Sequence, residues 1–269
     1  MIYVKKLNGE MQKYDPSKLK KSLLNSGADE ETINKIMIKV NQILYDGIET
    51  KKLFRFAFKE FKKYQPYASS RYNLKNAILR LGIEGYPFEQ FVSKILQKKG
   101  YSVKLNQIVK GKYIHHEIDI SAENGREKIM VECKHHAKPW LGCDIQTALY
   151  VYARFIDVKK WFTLPMLVTN TKFSPQVITY SKGVGLKLMG WKFPKGDSLE
   201  YHIENFKLYP ITMLSALDRE KIAELLRVNV ILISDLSAKD ANEISRILKI
   251  SKSKANKILE ESNTLCGCN

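Results

Sequence analysis

The sequence predicts an α/β protein in which a mixed sheet flanked by helices lies between two helical regions. Three observations lead to this prediction. Between residues 86 and 200, segments with strand-like alternation are separated by segments with helical periodicity. Residues 1–84 contain a short hairpin followed by helical segments, and residues 205–262 are helical in periodicity. The chain is therefore expected to contain three domains with these boundaries.

The first predicted domain opens with two short strands joined at Asn8-Gly9, a dipeptide that favours the tight turn of a hairpin. Asp15-Pro16-Ser17 then supplies a capping residue followed by proline, which together indicate a helix start. Three more helices are predicted over residues 30–44, 51–64 and 68–81. Thr50 is the expected cap of the second of these. The glycines and the proline of segment 82–87 mark the boundary with the next domain.

The second predicted domain alternates strands with helices. A helix whose apolar residues recur on one face ends at Gly100, and Asn124-Gly125 joins the second and third strands in a hairpin. The predicted strands are residues 101–108, 113–121, 127–135, 165–169 and 186–189. The predicted helices after the hairpin are residues 144–158 and 174–182.

The third predicted domain contains three helices. Each is opened by a serine, a residue that caps helices by accepting a hydrogen bond from the backbone of the first turn. The helices run over Ser215–Leu226, Ser237–Leu248 and Ser251–Glu261.

The charge of the chain restricts its partners. Of 269 residues, 45 are Lys or Arg and 28 are Asp or Glu, which gives a net charge of +17. The net charge is +8 in residues 1–85, +8 in residues 86–200 and +1 in residues 201–269. This distribution favours polyanions, meaning nucleic acid or nucleotide phosphates, as partners of the first two domains. Solubility is the alternative explanation of the charge.

Three features predict a cytoplasmic protein with no membrane segment. No run approaches the roughly 18 apolar residues that a membrane span needs. The N-terminal segment MIYVKKLNGE lacks the apolar region of a signal peptide. Four cysteines are too few for a disulfide framework, so Cys133 and Cys143 are expected to be reduced.

The candidate catalytic residues lie on the hairpin around Asn124-Gly125. If these two residues are the centre of the turn, Glu117 lies opposite Glu132, and Asp119 lies opposite Met130. Because side chains alternate across a strand, polar residues share one face and apolar residues share the other. The polar face contains His115, Glu117, Asp119, Glu132 and Lys134. The apolar face contains Ile114, Ile118, Ile120, Ile129, Val131 and Cys133.

Three neighbouring carboxylates on one sheet face repel one another, so the arrangement needs a compensating cation. Lys134 supplies one positive charge, and a divalent ion such as Mg²⁺ or Mn²⁺ is expected to supply the rest. Such a site suits phosphodiester hydrolysis, because the ion polarises the phosphoryl group and balances the charge that develops. The alternative is an ordinary polar hairpin that faces solvent.

A zinc site is the less favoured interpretation of the histidines and cysteines near this hairpin. Adjacent residues on a strand point to opposite faces, as His115-His116 would, and no Cys-x-x-Cys pair is present. A closed tetrahedral site built from these residues, His135-His136, Cys133 and Cys143 is therefore poorly supported.

The hairpin and its flanks resemble the PD-(D/E)xK nuclease superfamily, most closely its Mrr-type restriction endonuclease branch. The resemblance covers about residues 86–190 and rests on four segments: Phe88-Glu89, Asp119, Glu132-Cys133-Lys134 and Leu167-Val168-Thr169-Asn170. It implies a restriction endonuclease-like fold. The roles that it implies are metal ligation by Asp119, Glu132 and Glu89, catalysis by Lys134, and a place near the site for Gln146. The glycine usually found two residues before the metal-binding aspartate is here Glu117.

The first domain is similar to the ATP-cone, a regulatory module that binds ATP or dATP. The similarity rests on residues 4–9, 14–19 and 45–50 and spans nearly all of residues 2–81. It implies the nucleotide-binding residues Val4, Lys5, Lys6, Lys18, Lys21 and Thr50. Leu7 stands where the family has arginine, which removes one bidentate phosphate contact. A basic helical domain that binds no nucleotide is the alternative.

Residues 248–255 resemble a helix-hairpin-helix element, whose turn presents backbone N–H groups to a DNA phosphate. The DNA-binding residues that this resemblance implies are Ser251, Lys252 and Lys254. Serines stand where such hairpins use glycines, and a role in protein–protein contact or in packing is the alternative.

Together these features predict a Mg²⁺-dependent endodeoxyribonuclease regulated by ATP or dATP. The competing hypothesis is a non-catalytic nucleotide sensor that binds DNA through a degenerate nuclease fold. A transcriptional regulator of ribonucleotide reductase is a weaker third hypothesis, because no zinc ribbon precedes the ATP-cone-like segment. The expected partners are DNA, the nucleotide and, in a homo-oligomer, a second copy of the chain.

Overall fold

The computed structural model describes residues 2–65, 74–81 and 86–266, and its contacts divide the chain into two compact units. The first unit consists of Met1–Ala77, Met213–Asp218 and Lys239–Asn269. The second unit consists of Ile78–Thr212 and Arg219–Ala238. Residues 205–262 therefore contribute to both units, and the three domain boundaries stay predictions. The start of the predicted fourth helix and most of the predicted boundary segment 82–87 lie outside the described residues.

The first unit contains a small sheet and helices. Its strands are β1 (Tyr3–Lys5), β2 (Met11–Lys13) and β3 (Ile48–Glu49), in the order β2-β1-β3. Strand β2 is antiparallel to β1, and β3 is parallel to it. The helices that follow these strands are α1 (Pro16–Asn25), α2 (Glu30–Gln42) and α3 (Thr50–Tyr64). The described part of the predicted fourth helix is α4 (Leu74–Leu81), which spans the division between the units.

Local signals placed the first helices well, with one correction at Thr50. The Asp15 side chain accepts a hydrogen bond from the Ser17 N–H at 3.0 Å, so the predicted cap of α1 is present. Thr50 is the first residue of α3 rather than its cap, which is Glu49. The Thr50 hydroxyl donates to the Lys5 carbonyl oxygen at 2.9 Å and so ties α3 to β1.

The second unit is a mixed α/β structure, as predicted. Its five-stranded sheet has the order β10-β8-β6-β5-β4, with β4, β5 and β6 antiparallel and β6, β8 and β10 parallel. The strands of this sheet are β4 (Ser102–Lys110), β5 (His115–Glu123), β6 (Lys128–Lys134), β8 (Leu164–Thr169) and β10 (Lys187–Met189). A separate parallel pair is formed by β7 (Gly142–Cys143) and β9 (Lys172–Phe173).

The second unit also contains helices. They are α5 (Tyr86–Lys98), α6 (Ile145–Val158), α7 (Pro175–Val184), α8 (Leu199–Phe206), α9 (Arg219–Arg227) and α10 (Ile233–Ser237). The apolar face predicted for α5 is buried, including Phe88, Phe91 and Ile95. Helix α6 buries Ala148 and Val151 in a core that also contains Ile118 of β5. The hairpin is therefore held against a packed helix.

Near the C-terminus, α11 (Ala241–Leu248) and α12 (Lys252–Cys266) belong to the first unit. Only one of the three predicted serine caps is present. Ser251 Oγ accepts from the Lys254 N–H at 3.4 Å, whereas Asp240 caps α11. Ser215 instead donates its N–H and its hydroxyl to the Glu261 carboxylate, both at 2.8 Å.

None of the helices within residues 2–65, 74–81 and 86–266 combines the length and the apolar composition that a membrane span requires.

Candidate functional site

The hairpin of β5 and β6 differs from its predicted register by two residues. Ile120 lies opposite Val131, so the predicted pairing of Glu117 with Glu132 and of Asp119 with Met130 is wrong. The turn explains the difference: Asn124 Oδ1 accepts from the N–H groups of Arg126 and Glu127, both at 3.1 Å. Asn124 therefore stands before the turn centre, which is Gly125-Arg126.

A shift of two residues leaves every side chain on its predicted face, because the side-chain period of a strand is two. Ile118, Ile120 and Val131 are buried, as the predicted apolar face requires. Ile114 is the exception, since it precedes β5 and is 61% exposed. The carboxylates of β5 and β6 consequently remain candidates for one common site.

Asp119 lies just beyond the last hydrogen-bonded pair of the two strands. Its Oδ2 accepts a hydrogen bond from the Cys133 N–H at 2.7 Å, in place of a backbone carbonyl. This bond fixes the Asp119 carboxylate next to the backbone that carries Glu132.

Glu132 is paired with Arg154, a residue of α6 that the sequence analysis did not identify. Arg154 Nη1 donates to Glu132 Oε2 and also to the Glu117 carbonyl oxygen at 3.1 Å. Arg154 Nη2 donates to the Tyr150 hydroxyl at 2.5 Å, and the guanidinium lies 4.7 Å from the centre of the Tyr150 ring. Both partners of the ion pair are largely buried, with side chains 12% and 19% exposed. The two charges therefore attract each other strongly, because little water lies between them and the protein to screen them.

The carboxylates affect one another electrostatically. Burial, followed by the Asp119 carboxylate, raises the pKa of Glu132 to about 7, against the opposing effects of Arg154 and Lys134. Burial, followed by Asp119 and Glu132, raises the pKa of Glu89 on α5 to about 7. Burial also raises the pKa of Asp119, although the Cys133 N–H and Arg154 lower it. Burial first, and then the neighbouring carboxylates, therefore disfavour the ionised forms of these groups.

The predicted metal ligands do not form a preorganised metal-binding site. Among the residues that the structure describes, no three His, Cys, Asp or Glu side chains are grouped as metal ligands. The reason lies in the charges: like-charged carboxylates repel, and Asp119 and Glu132 each turn to a separate donor. The donor chemistry nevertheless suits Mg²⁺, which prefers carboxylate oxygens. A bound cation would favour the ionised carboxylates against the burial that raises their pKa values.

Lys134 and Gln146 complete the set of residues predicted for catalysis. Lys134 is exposed at the end of β6, two residues after Glu132, opposite Thr169 of β8. Gln146 is exposed in the first turn of α6. Gln146, Tyr150 and Arg154 follow one another at intervals of four residues, so they share one face of that helix. This spacing is the signal by which Arg154 could have been found from the sequence.

Three of the histidines near the hairpin are bound to different partners. His116 Nε2 lies 2.8 Å from Asp157 Oδ2, and His135 Nε2 lies 3.2 Å from the Ile78 carbonyl oxygen. The backbone of His136 is held by the fully buried Asn170, whose side chain bonds both its N–H and its carbonyl oxygen at 2.8 Å. These bonds fix the segment that follows Lys134.

The residues predicted to bind nucleotide lie in the first unit. Val4 is 5% exposed and belongs to the core, so its side chain is not available to a ligand. Lys6 Nζ lies 3.3 Å from Glu10 Oε2, an ion pair that competes with a phosphate. The remaining predicted lysines, Lys5, Lys18 and Lys21, are exposed.

The predicted DNA-binding turn lies between α11 and α12. Ser251, Lys252 and Lys254 are exposed there. Lys249 ends α11 with a left-handed backbone (φ 52°), and the Ile250 N–H donates to the Ser245 carbonyl oxygen at 3.2 Å.

Two family models match the chain. A model described as "Restriction endonuclease" matches residues 80–192, and one described as "AF1548-like, C-terminal" matches residues 209–266. Residues 1–79 lie outside both models, so neither supports the ATP-cone resemblance. The restriction endonuclease match includes every residue predicted for catalysis and metal binding.

Two relatives also resemble the chain. An uncharacterized protein of Archaeoglobus fulgidus is 37% identical over 177 residues, which are 65% of this chain and 100% of that protein. The crystal structure of AF1548, a protein of unknown function, has a TM-score of 0.61 and 36% sequence identity, and the match covers 68% of this chain and 99% of that chain. The chain therefore belongs to the AF1548-like family of proteins with a restriction endonuclease-like domain.

Proposed function

We propose that the protein is a metal-dependent DNA endonuclease whose site contains Glu89, Asp119, Glu132 and Lys134. The observation that carries this proposal is the cluster of half-buried carboxylates beside a lysine, within a restriction endonuclease-like domain. Carboxylates whose pKa values are raised by burial and by one another occur often at functional sites.

Asp119, Glu132 and Glu89 would hold Mg²⁺ or Mn²⁺. When bound, the ion polarises the phosphoryl group and helps to form hydroxide from water. The Cys133 N–H orients Asp119 by the bond at 2.7 Å. Lys134 Nζ donates hydrogen bonds to the attacked phosphate and so stabilises the charge that develops in the transition state. Gln146 and Tyr150, on the exposed face of α6, contact the DNA strand beside the cluster.

The test of this proposal is cleavage of a supercoiled plasmid by the purified protein in Mg²⁺ and in EDTA. Nicking or linearisation is expected in Mg²⁺ alone, and Glu132→Gln is expected to abolish it, because the amide removes one carboxylate ligand. Circular dichroism of the variant checks that the fold is kept. Equal cleavage by the variant and the wild type would reject the site.

The competing function is a non-catalytic, nucleotide-sensing DNA-binding regulator. It is favoured by the pairing of Glu132 with Arg154, since that ion pair must open before Glu132 binds a metal ion. This function predicts salt-sensitive DNA binding that Glu132→Gln leaves unchanged, with no cleavage in Mg²⁺ or Mn²⁺.

The regulatory part of the proposal is that the first unit binds ATP or dATP as an ATP-cone. It is supported by the hairpin-and-helix order of residues 2–64 and by the exposed lysines Lys5, Lys18 and Lys21. Nucleotide bound there would change the rate of DNA cleavage. We further propose that the protein is cytoplasmic and that it forms a homo-oligomer. The exposed turn of Ser251, Lys252 and Lys254 is a further proposed DNA contact.

Calorimetric titration with ATP and with dATP tests the nucleotide site. Lys18 and Lys21 lie three residues apart on α1 and share a face, so Lys18→Gln/Lys21→Gln is expected to weaken binding about tenfold. Lys59→Gln, an exposed lysine of α3, is the matched control and should bind as the wild type does. Heats of dilution alone from the wild type would remove nucleotide regulation from the proposal.

A further inference from the structure

An exposed patch of aromatic, aliphatic and basic side chains lies where the turn between β4 and β5 meets the end of α6. We call it the wedge patch, and its members are Lys110, Lys112, Tyr113, Ile114, Lys160 and Trp161. The side chains of Tyr113, Ile114 and Trp161 are 77%, 61% and 47% exposed. Three large apolar groups so open to water on one short stretch of surface indicate a binding site.

The turn is braced so that its exposed side chains have fixed positions. Asp157 near the end of α6 accepts hydrogen bonds from the N–H groups of Tyr113 and Ile114, at 3.0 and 3.3 Å. The Lys112 N–H donates to the Asp157 carbonyl oxygen at 2.9 Å. Trp161 Nε1 donates to the Lys110 carbonyl oxygen at 2.9 Å, which joins the two halves of the patch.

A preformed patch binds with a smaller entropic cost than a mobile loop. Gly111 allows the turn to lie this close to α6, because a Cβ there would lie 2.0 Å from Asp157 Oδ2.

The charges of the wedge patch are arranged beside its rings. Lys112 Nζ lies 4.8 Å from the centre of the Tyr113 ring, and Lys160 Nζ lies 5.2 Å from a ring centre of Trp161. Lys110, Lys112 and Lys160 form no ion pair among the residues that the structure describes. The neighbouring acidic side chain, Asp157, is engaged by His116 and by the backbone of the turn. The patch therefore presents stacking surfaces and free positive charges together.

The wedge patch is linked to the carboxylate cluster through α6, which carries both Asp157 and Arg154. Arg154, which binds Glu132, lies three residues before Asp157 on α6 and also donates to the Glu117 carbonyl oxygen at 3.1 Å. Glu117 pairs with Ile108 of β4, whose side chain is 75% exposed. The same helix and the same strand pair therefore hold the wedge patch and the partner of Glu132.

We propose that the wedge patch binds an unpaired stretch of DNA, with bases stacked on Tyr113 and Trp161 and phosphates held by the adjacent lysines. Aromatic rings interleaved with basic side chains are the usual means of binding single-stranded nucleic acid. The choice of DNA rests on the proposed nuclease function. An anionic membrane surface also attracts lysines, tyrosine and tryptophan, and it enters the test as the competing outcome.

The test measures the binding of fluorescein-labelled oligothymidine, single-stranded and as a duplex with oligodeoxyadenosine, by anisotropy in EDTA. The wild type is expected to prefer the single strand. Tyr113→Ala/Ile114→Ser should weaken that binding roughly tenfold, because one stacking surface is lost. Lys110→Gln/Lys112→Gln should lower the slope of log Kd against log salt concentration by about 1.4, the value for two released phosphate contacts.

Matched controls come from the same unit. Tyr201→Ala on α8 removes an aromatic ring that is 47% exposed, and Lys182→Gln on α7 removes an exposed charge. Both should bind the single strand as the wild type does. An equal loss in the controls and the wedge-patch variants would overturn the proposal, because the loss would then not be specific to the wedge patch.

EDTA separates this inference from the proposed nuclease function. Loss of single-strand binding in the wedge-patch variants supports the inference even if no plasmid cleavage is found. Unchanged binding overturns it even if the wild type cleaves. Sedimentation with vesicles of phosphatidylserine and phosphatidylcholine, without measurable binding of the oligonucleotide, would also overturn it.

Discussion

Replacing Lys134 with alanine is expected to lower the rate of Mg²⁺-dependent plasmid cleavage by a factor of roughly 10² to 10³. A positive group aimed at the charge that develops on the phosphate stabilises the transition state more than the ground state. Lys134 is exposed and lies on the same strand face as Glu132, two residues away. Its removal takes away no buried contact, so the fold should be kept. Single-turnover cleavage with saturating protein measures the effect directly.

The control for this prediction is Lys182→Ala, which removes an exposed lysine of α7 outside the hairpin. It should cleave at the wild-type rate. Lys134→Arg should recover part of the lost activity, because it restores the charge with a different geometry. Binding of DNA in EDTA should change by no more than about threefold in Lys134→Ala, the effect of one lost phosphate contact. A rate within twofold of the wild type would remove Lys134 from the site.

Replacing Arg154 with glutamine is expected to tighten the binding of Mn²⁺ roughly tenfold. The Arg154 guanidinium is bonded to Glu132, and a metal ion must displace it to gain that carboxylate. A hydrogen-bonded pair between charged groups is worth about 1.5–3 kcal/mol, which corresponds to about tenfold or more in affinity. The Mn²⁺ titration is carried out at pH 8 or above, so that Glu132 is ionised. The pKa of Glu132 is raised to about 7, and removal of Arg154 raises it further.

A merely structural role for Arg154 would give the opposite sign, because a disordered site binds metal more weakly. Arg154→Lys keeps the positive charge and should change Mn²⁺ affinity less than Arg154→Gln does. Arg126→Gln, an exposed arginine of the hairpin turn, is the matched control and should have no effect. Calorimetry or the enhancement of water proton relaxation by Mn²⁺ measures the affinity. Weaker binding in Arg154→Gln with wild-type binding in Arg154→Lys would contradict the displacement of Arg154 by the metal ion.

The candidate site was partly predictable, because the residues of a strand or a helix show its periodicity within a short segment of sequence. Alternation alone assigned Asp119 and Glu132 to one face, and that assignment survived an error of two residues in the register. The error arose at Asn124, whose side chain caps the turn instead of standing at its centre. An Asn-Gly dipeptide is compatible with both arrangements, and the difference between them is a small local energy.

The sequence by itself determined the α/β class, the positions of most elements and the set of acidic residues that share a sheet face. These properties depend on periodicity and on capping groups that are close along the chain. Only the tertiary structure decided that Arg154 pairs with Glu132, that the Cys133 N–H holds Asp119, and that Asp157 holds the turn before β5. These contacts join residues 14 to 44 positions apart. They depend on how α6 packs on the sheet, and no local pattern records that packing.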